Sequence, residues 1–477
     1  MKRHRLWTPA GAITLAMILT PACGGPESAG GAGDLTDAEV QQLVRLAYPY
    51  VAMYNVNNKS AVTAGGWNHF VADTQLKDHT LTDIARPNTH TFYITPALEL
   101  RNEPNVLSFP AFDSEYVSLM ITGYDHYVNI PMASRFGSFE EPERILVYSE
   151  RTEGYDGSPV EGVDHLFEAT GDFVTAVVRL MPHAAEPDRM ARIAEQAQAV
   201  TLETLSEYRG EQAPESAPAD MPPVGTTDAD LFGDNLLEVL QFVVDHTTFD
   251  PGNADDQAAL EMFARVGIEP GDTYDEADLQ AALGPRLREV ASEVQTEWLT
   301  AARDAAVMER LRTRMFQPKG KTDAETVLAV SILGPIGMPQ EEAVYPPVGT
   351  ADGEPMNALH DYVVRMSADE MPPAGAFWSL TLYDEQNGFF IPNDRKKYSV
   401  GLNGGMELDD DGGIEIWIAA EQPDGVPEEN WLPISREDLG LNLTMRLYEP
   451  DLEAYEDWTP PVAEPTTSTT ESTTDER

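Results

Sequence analysis

Over residues 376–384 the chain reads AFWSLTLYD, so Phe377, Ser379, Thr381 and Tyr383 alternate with Trp378, Leu380 and Leu382. A repeat of two puts one set on each face of an extended strand, and it cannot make the single apolar stripe of a helix. Asn387-Gly388 follows, a pair that readily takes positive φ, and predicts a reversal. Residues 406–408 and 414–418 then flank Asp409-Asp410-Asp411-Gly412-Gly413, so the run to Tyr448 reads as a β-meander. Earlier in the chain, short β-rich runs at 91–95, 106–109, 116–122, 127–132, 145–149 and 173–180 are separated by turn signals such as Glu103-Pro104-Asn105 and Asp156-Gly157-Ser158-Pro159. Their spacing predicts a sandwich or jelly-roll-like domain and argues against alternating βαβ units.

Helical spacing appears in two places. Thr36-Asp37-Ala38-Glu39 has the capping-box pattern, and Val40, Leu43, Val44, Ala47 and Val51 share one face. This predicts a helix to about Tyr54, ended by a turn at Asn55-Val56-Asn57-Asn58. Between 186 and 314, Met190, Ile193, Ala197 and Val200 form one stripe, and Leu236, Leu237, Leu240, Val243 and Val244 form another. The longest stripe runs from Leu287 through Trp298 to Met308, beginning beside Pro285, and Trp298 reads as core. The expected architecture is α+β: two β-rich sandwich or jelly-roll-like domains, over 35–185 and 321–458, joined by a mainly helical segment over 186–320.

The 477 residues carry a formal charge of −50, from 81 acidic against 31 basic side chains. Such a surface repels nucleic acid, which is set aside as a partner. Two accounts of the charge stand, a protein working in salty surroundings or a codon bias toward Arg and Asp. The single cysteine, Cys23, leaves no internal disulfide framework and no cysteine-based zinc site. Lys2, Arg3 and Arg5 precede an apolar run over 10–18, too short to span a bilayer, and Leu19-Thr20-Pro21-Ala22-Cys23 follows. Residues 1–22 thus read as a signal peptide resembling that of a bacterial lipoprotein, with Cys23 as the lipidated residue and 23–34 as a glycine-rich linker. The expectation is an exported protein held at the cell membrane through Cys23, facing away from the cytoplasm. Residues 459–477 read as a disordered Thr/Ser-rich tail.

Several stretches resemble a bacterial pair of domains of unknown function, numbered 1254 on the N-terminal side and 1214 on the C-terminal side. The first similarity lies over about 48–180, chiefly at Arg86-Pro87-Asn88-Thr89-His90-Thr91-Phe92-Tyr93 and Tyr116-Val117-Ser118-Leu119. The second lies at Phe377 to Asp384, Asn393, Arg395, Tyr398-Ser399, Asn430-Trp431-Leu432-Pro433 and Arg446-Leu447-Tyr448. The resemblance implies two β-rich domains with helices between them and no assigned reaction. His90 departs from the family pattern, which has an acid there.

No hydrolase elbow, HExxH, phosphate loop or SxxK motif is present, and no cofactor motif appears. Asn88, His90 and Tyr93, with Asp125 and His126, form the best polar constellation of the first domain; imidazole and carboxylate suit a general base, while satisfied strand ends explain the same residues. In the second domain Asp384, Asn393, Arg395 and Tyr398 gather around a hairpin, and Asn430-Trp431 ends a loop. Trp, Tyr and Asn suit a sugar face; Trp378 and Trp431 equally suit core plugs whose indole N–H meets a carbonyl. The acidic run at 409–411 lacks the spacing and closing glutamate of an EF-hand loop, and no metal site is assigned. A ligand-binding or surface-assembly module, carbohydrate among its candidate ligands, is the leading expectation. An enzyme with a site between the two β domains, and a purely structural envelope protein, are the alternatives.

Overall fold

The structure is a computed structural model, and it describes residues 35–82, 84–214 and 217–466. The signal peptide, Cys23 and linker read from the sequence, and residues 467–477 of the tail, lie outside the described residues.

The first described element is the helix α1 (Asp37–Ala64), opened by the Thr36/Glu39 capping box. It runs ten residues past the expected stop at Tyr54, where Asn55 and Asn58 find partners on distant residues. Asn55 donates to Asp228 (2.7 Å) and accepts from the Gly225 amide (2.9 Å), and Asn58 donates to the Tyr54 carbonyl (2.8 Å) and the Tyr124 hydroxyl (3.1 Å). Gly65, at φ 95°, ends the helix in the left-handed region.

The first sandwich follows. Its strands are β1 (His69–Asp73), β2 (Phe92–Glu99), β3 (Asn105–Phe109), β4 (Val117–Thr122), β5 (Val128–Ala133), β6 (Glu143–Ser149), β7 (His165–Ala169), β8 (Phe173–Leu180) and, after the helix α2 (Pro187–Gln198), β9 (Thr201–Thr204). One sheet has the order β1-β2-β8-β4-β5 and the other β7-β6-β3-β9. Their inner faces share a core that includes Ile94, Leu119, Val178, Leu107 and Val147, and Ile193 and Ala197 of α2 pack on it. So α2 and β9 belong with this sandwich by packing, although they lie beyond the 185 boundary expected from sequence.

After the short helix α3 (Leu205–Arg209) come α4 (Asp228–Asp234), α5 (Leu236–His246), α6 (Ala254–Ala264), α7 (Ala277–Ala301), α8 (Ala305–Arg312) and α9 (Ala324–Leu333). The long stripe is split: α7 starts eight residues before Pro285, and Met308 sits on α8. Trp298 is buried, as expected. The helices bury one core together with α1, which supplies Leu43, Tyr48 and Val51, while α9 supplies Leu328 and Ala329. By packing, then, α1 and α9 join the helical body and not the β domains that flank them in sequence. Asn253 caps α6 by accepting from the Asp255 (2.9 Å) and Asp256 (3.0 Å) amides. Asn253→Ala removes the one oxygen that accepts both bonds, and a fall of about 1 kcal/mol in urea-unfolding stability is expected.

The second sandwich holds β10 (Ala343–Val344), β11 (Pro347–Val348), β12 (Tyr362–Met366), β13 (Ala374–Asp384), β14 (Ser399–Gly401), β15 (Ile414–Ala419), β16 (Trp431–Pro433), β17 (Leu441–Pro450) and β18 (Ala463–Pro465), with the short helix α10 (Leu452–Asp457). The sheets run β10-β17-β13-β14, with β11 also on β17, and β16-β15-β12-β18. The expected meander is therefore not formed. The Asp409 to Gly413 turn exists, closed by the Asp409 amide on the Gly413 carbonyl (2.8 Å), but residues 406–408 are not a strand and β15 pairs with β12 in the facing sheet. That crossing buries Ile414, Ile416 and Ile418 in the inter-sheet core. The expected tail also begins later than 459: Ala463 is fully buried and β18 pairs with β12.

Candidate ligand-binding site

The period of two in β13 and β17 decides what faces the rest of the molecule. Trp378, Leu380, Leu382, Leu443, Met445 and Leu447 point into the second core, which leaves Phe377, Ser379, Thr381, Tyr383, Thr444, Arg446 and Tyr448 on the opposite face. In the first sandwich, Val174, Ala176, Val178 and Leu180 point inward, which leaves Thr175, Val177 and Arg179 on the other face. The two outward faces meet. Phe377 stacks on Tyr448 (centroids 4.1 Å, planes 9° apart), and Tyr116 of the first domain meets both rings at 5.7 and 5.1 Å. The segment before β2 is pinned across the seam: the Arg86 amide donates to the Gly388 carbonyl (2.7 Å), Tyr383 Oη to the Pro87 carbonyl (2.7 Å), and Arg446 Nη2 to the Arg86 carbonyl (3.0 Å). Glu342, with no accessible side-chain surface, pairs with Arg135 and is pushed above the ordinary carboxyl range by burial, against the pull of that pairing.

Where the seam reaches the helical body it opens into a cavity of about 520 Å³, within the size range of small-molecule sites. Its apolar wall is helical or connecting chain, with Met315, Phe316, Val330, Leu333 and Ile336 among the lining residues; its polar wall comes from the two sheets, with Asn88, Tyr93, Arg179, Thr444, Arg446 and Tyr448. Tyr345, also among the lining residues, keeps 52% of its surface accessible. Asn88 organises the polar wall. Its Oδ1 accepts the His90 amide (2.7 Å), and its Nδ2, with two hydrogens, has Thr91 Oγ1 (2.9 Å), Tyr93 Oη (2.9 Å) and Tyr448 Oη (3.3 Å) within reach. A phenol that accepts from an amide keeps its own hydrogen to donate elsewhere.

Only Asn88 and Tyr93 of the sequence candidates reach this cavity. His90 sits one layer behind, with Nε2 2.8 Å from Thr381 Oγ1, which also accepts from Arg446 Nη1 (3.3 Å). Burial, then the Arg446 charge, push His90 well below its usual pKa, so it is a neutral seam residue. Asp125 and His126 lie elsewhere. Asp125 is buried 3.6 Å from Lys319 Nζ, beside a cavity of about 30 Å³ that has room for one water. His126, at φ 63°, has Nδ1 2.8 Å from Ser331 Oγ and Nε2 2.7 Å from the Pro335 carbonyl. The carbonyl can only accept, so Nε2 carries the hydrogen, while the single Ser331 hydroxyl hydrogen lies between Nδ1 and the Val327 carbonyl (2.7 Å). Burial lowers its pKa to about 4.

The second-domain candidates are occupied by protein partners, all but Tyr398 within their own domain. Asp384 accepts from the Asn387 (2.5 Å) and Phe389 (2.9 Å) amides and holds the Asn387-Gly388 turn. Asn393 bonds the backbone of Ile391 and Lys397, and Asn430 exchanges two bonds with Glu407. Tyr398 Oη meets His79 Nδ1 (2.8 Å), Arg395 pairs with Glu428, and Trp431 donates its indole N–H to the Ala419 carbonyl (2.8 Å), the core-plug alternative. Arg179 and Arg446 were missed as site residues. The signal for them was a charge inside FVTAVVRL and LNLTMRLY, each in an otherwise strand-like run.

The architecture is thus that of two β-sandwiches clasping a helical body around a shared cavity. The chain carries the family described as protein of unknown function DUF1254 over residues 67–204 and that described as protein of unknown function DUF1214 over 342–452, in that order. The crystal structure of the VPA0106 protein from Vibrio parahaemolyticus is similar over 90% of this chain and 100% of its own, at 23% identity and a TM-score of 0.68. An uncharacterised protein from Burkholderia cenocepacia is similar over 89% of this chain and 87% of its own, at 14% identity and a TM-score of 0.39. No curated protein matches the chain.

Proposed function

We propose that this is an exported, lipid-anchored binding module that holds a small organic ligand in the cavity at the junction of its two sandwiches and helical body. The observation that carries the reading is the cavity itself, whose walls combine part-exposed apolar side chains, such as Ile336 at 36% and Tyr345 at 52%, with converging hydrogen-bond donors. Binding is favoured over catalysis because the residues lining the cavity include no carboxylate and no imidazole, the groups that most often move protons. The anchor rests on the signal-like segment and Cys23 in the sequence.

The test is a thermal-shift screen of small organic acids, alcohols and sugars on the full chain. A native-state ligand at a hundred times its Kd stabilises by about 2.7 kcal/mol. Ile336→Trp, which puts an indole into the cavity, is expected to reduce the shift without lowering the unliganded midpoint. A shift unchanged in Ile336→Trp places the ligand elsewhere and ends this reading.

A further inference from the structure

Resting on that cavity-binding reading, the geometry points to an amphipathic organic carboxylate as the occupant, its head held by Arg179 and Arg446 and its apolar body laid against Phe316, Leu333 and Ile336. Arg179 carries the argument. It is 4% accessible, and of its five N–H donors one finds an acceptor, the Met120 thioether at 3.8 Å. Among the described residues no carboxylate lies within ion-pair distance of it, and Glu342, the acid close enough to feel its charge, is already paired with Arg135. A guanidinium withdrawn from water with its donors unspent is held for a counter-charge that arrives from outside. Arg446, 5% accessible, spends one nitrogen on Thr381 and one on the Arg86 carbonyl and has no acidic partner among the described residues either.

The neighbouring hydroxyls point the same way. Neither Tyr93 Oη nor Tyr448 Oη donates to a protein acceptor among the described residues, so their hydrogens are free for the cavity. Both guanidiniums lie near Tyr448 and Tyr345: burial drives these phenols up, and the two charges pull against it. The charged part of the polar wall, Arg179 and Arg446, is all donor. A sugar needs acceptors as well as donors, whereas a carboxylate takes only donors and matches the planar fork of arginine. The opposite wall of Phe316, Leu333 and Ile336 offers an ion nothing and suits a hydrocarbon body.

The experiment is isothermal titration calorimetry of the full chain with hexanoate, octanoate and decanoate, with octanol as the neutral match and acetate and inorganic phosphate as heads without a tail. Octanoate is expected to bind at least about tenfold more tightly than octanol, a difference of one charge-assisted contact, and acetate and phosphate are expected not to bind. Arg179→Met, whose side chain fits the apolar contact with Met120, is expected to bring octanoate down to the level of octanol. Tyr448→Phe keeps the stack on Phe377 and is expected to weaken octanoate but not octanol. Equal binding of octanol and octanoate overturns the anionic head and leaves the cavity reading standing. Acetate or phosphate binding as well as octanoate reduces the site to an adventitious ion only and overturns the amphipath. Binding of none of the carboxylates, or binding that Ile336→Trp leaves intact, overturns this inference; the second result also overturns the cavity reading.

Discussion

Lys319→Met is expected to lower the unfolding free energy by about 3–5 kcal/mol at neutral pH, the usual cost of removing one partner from a buried ion pair. Lys319 Nζ sits 2.7 Å from Asp256 and 3.6 Å from Asp125, donates to the Thr248 carbonyl at 3.1 Å, and lies 5.0 Å from the Tyr127 ring centre. Asp125 and Asp256 are 2% and 1% accessible, so the variant leaves two acids out of water with no cation. The pH dependence gives the mechanism. Burial raises the Asp125 pKa, against the pull of Lys319, and without the lysine it rises further. An acid whose folded pKa lies above its unfolded value favours the folded state once protonated, so the gap between variant and parent should narrow as the pH falls. Urea unfolding of both proteins at neutral and acid pH measures it; a gap that is small at neutral pH, or that widens in acid, refutes the account.

Acid alone should also weaken the parent protein. His126 falls from an ordinary 6.5 to about 4 on folding because it is buried. Between those values the unfolded chain binds a proton that the folded protein does not, so stability is full above pH 6.5 and is lost as the pH falls toward 4. At 1.36 kcal/mol per pH unit the loss is about 3 kcal/mol from this one side chain. His90 and His183, both lowered by burial first, act in the same direction. His126→Asn, which suits the left-handed backbone there, should remove one proton from the slope of stability against pH in that window. An unchanged slope would assign the acid sensitivity to other groups.

The strands of both sandwiches were legible because their cores impose a strict alternation: β2 to β6 and β8 fall within a residue or a few of the runs read from sequence. The strands that escaped, among them β1, β7, β9, β10, β11 and β18, have only one hydrogen-bonded neighbour each, where a weak pattern suffices. The α1 stop was misjudged because the partners of Asn55 and Asn58 lie as far away as Asp228, and no local rule contains them. The site was half legible for the same reason. Asn88 and Tyr93 stand out locally, but what makes Arg179 and Arg446 a pair is the meeting of two outward faces. Read singly, each arginine is an irregularity in a strand.

The seam has a consequence for how the molecule can be assembled and taken apart. Asn88 reaches Tyr448, 360 residues on, and the walls of the cavity come from both sandwiches and from the segment between them. No fragment holding one sandwich encloses that space. Such a fragment would instead present Tyr116, or Phe377 and Tyr448, as bare aromatic surface, an invitation to self-association. Because the cavity's walls come from both sandwiches and the segment between them, capture of a ligand doubles as a certificate that all three have come together.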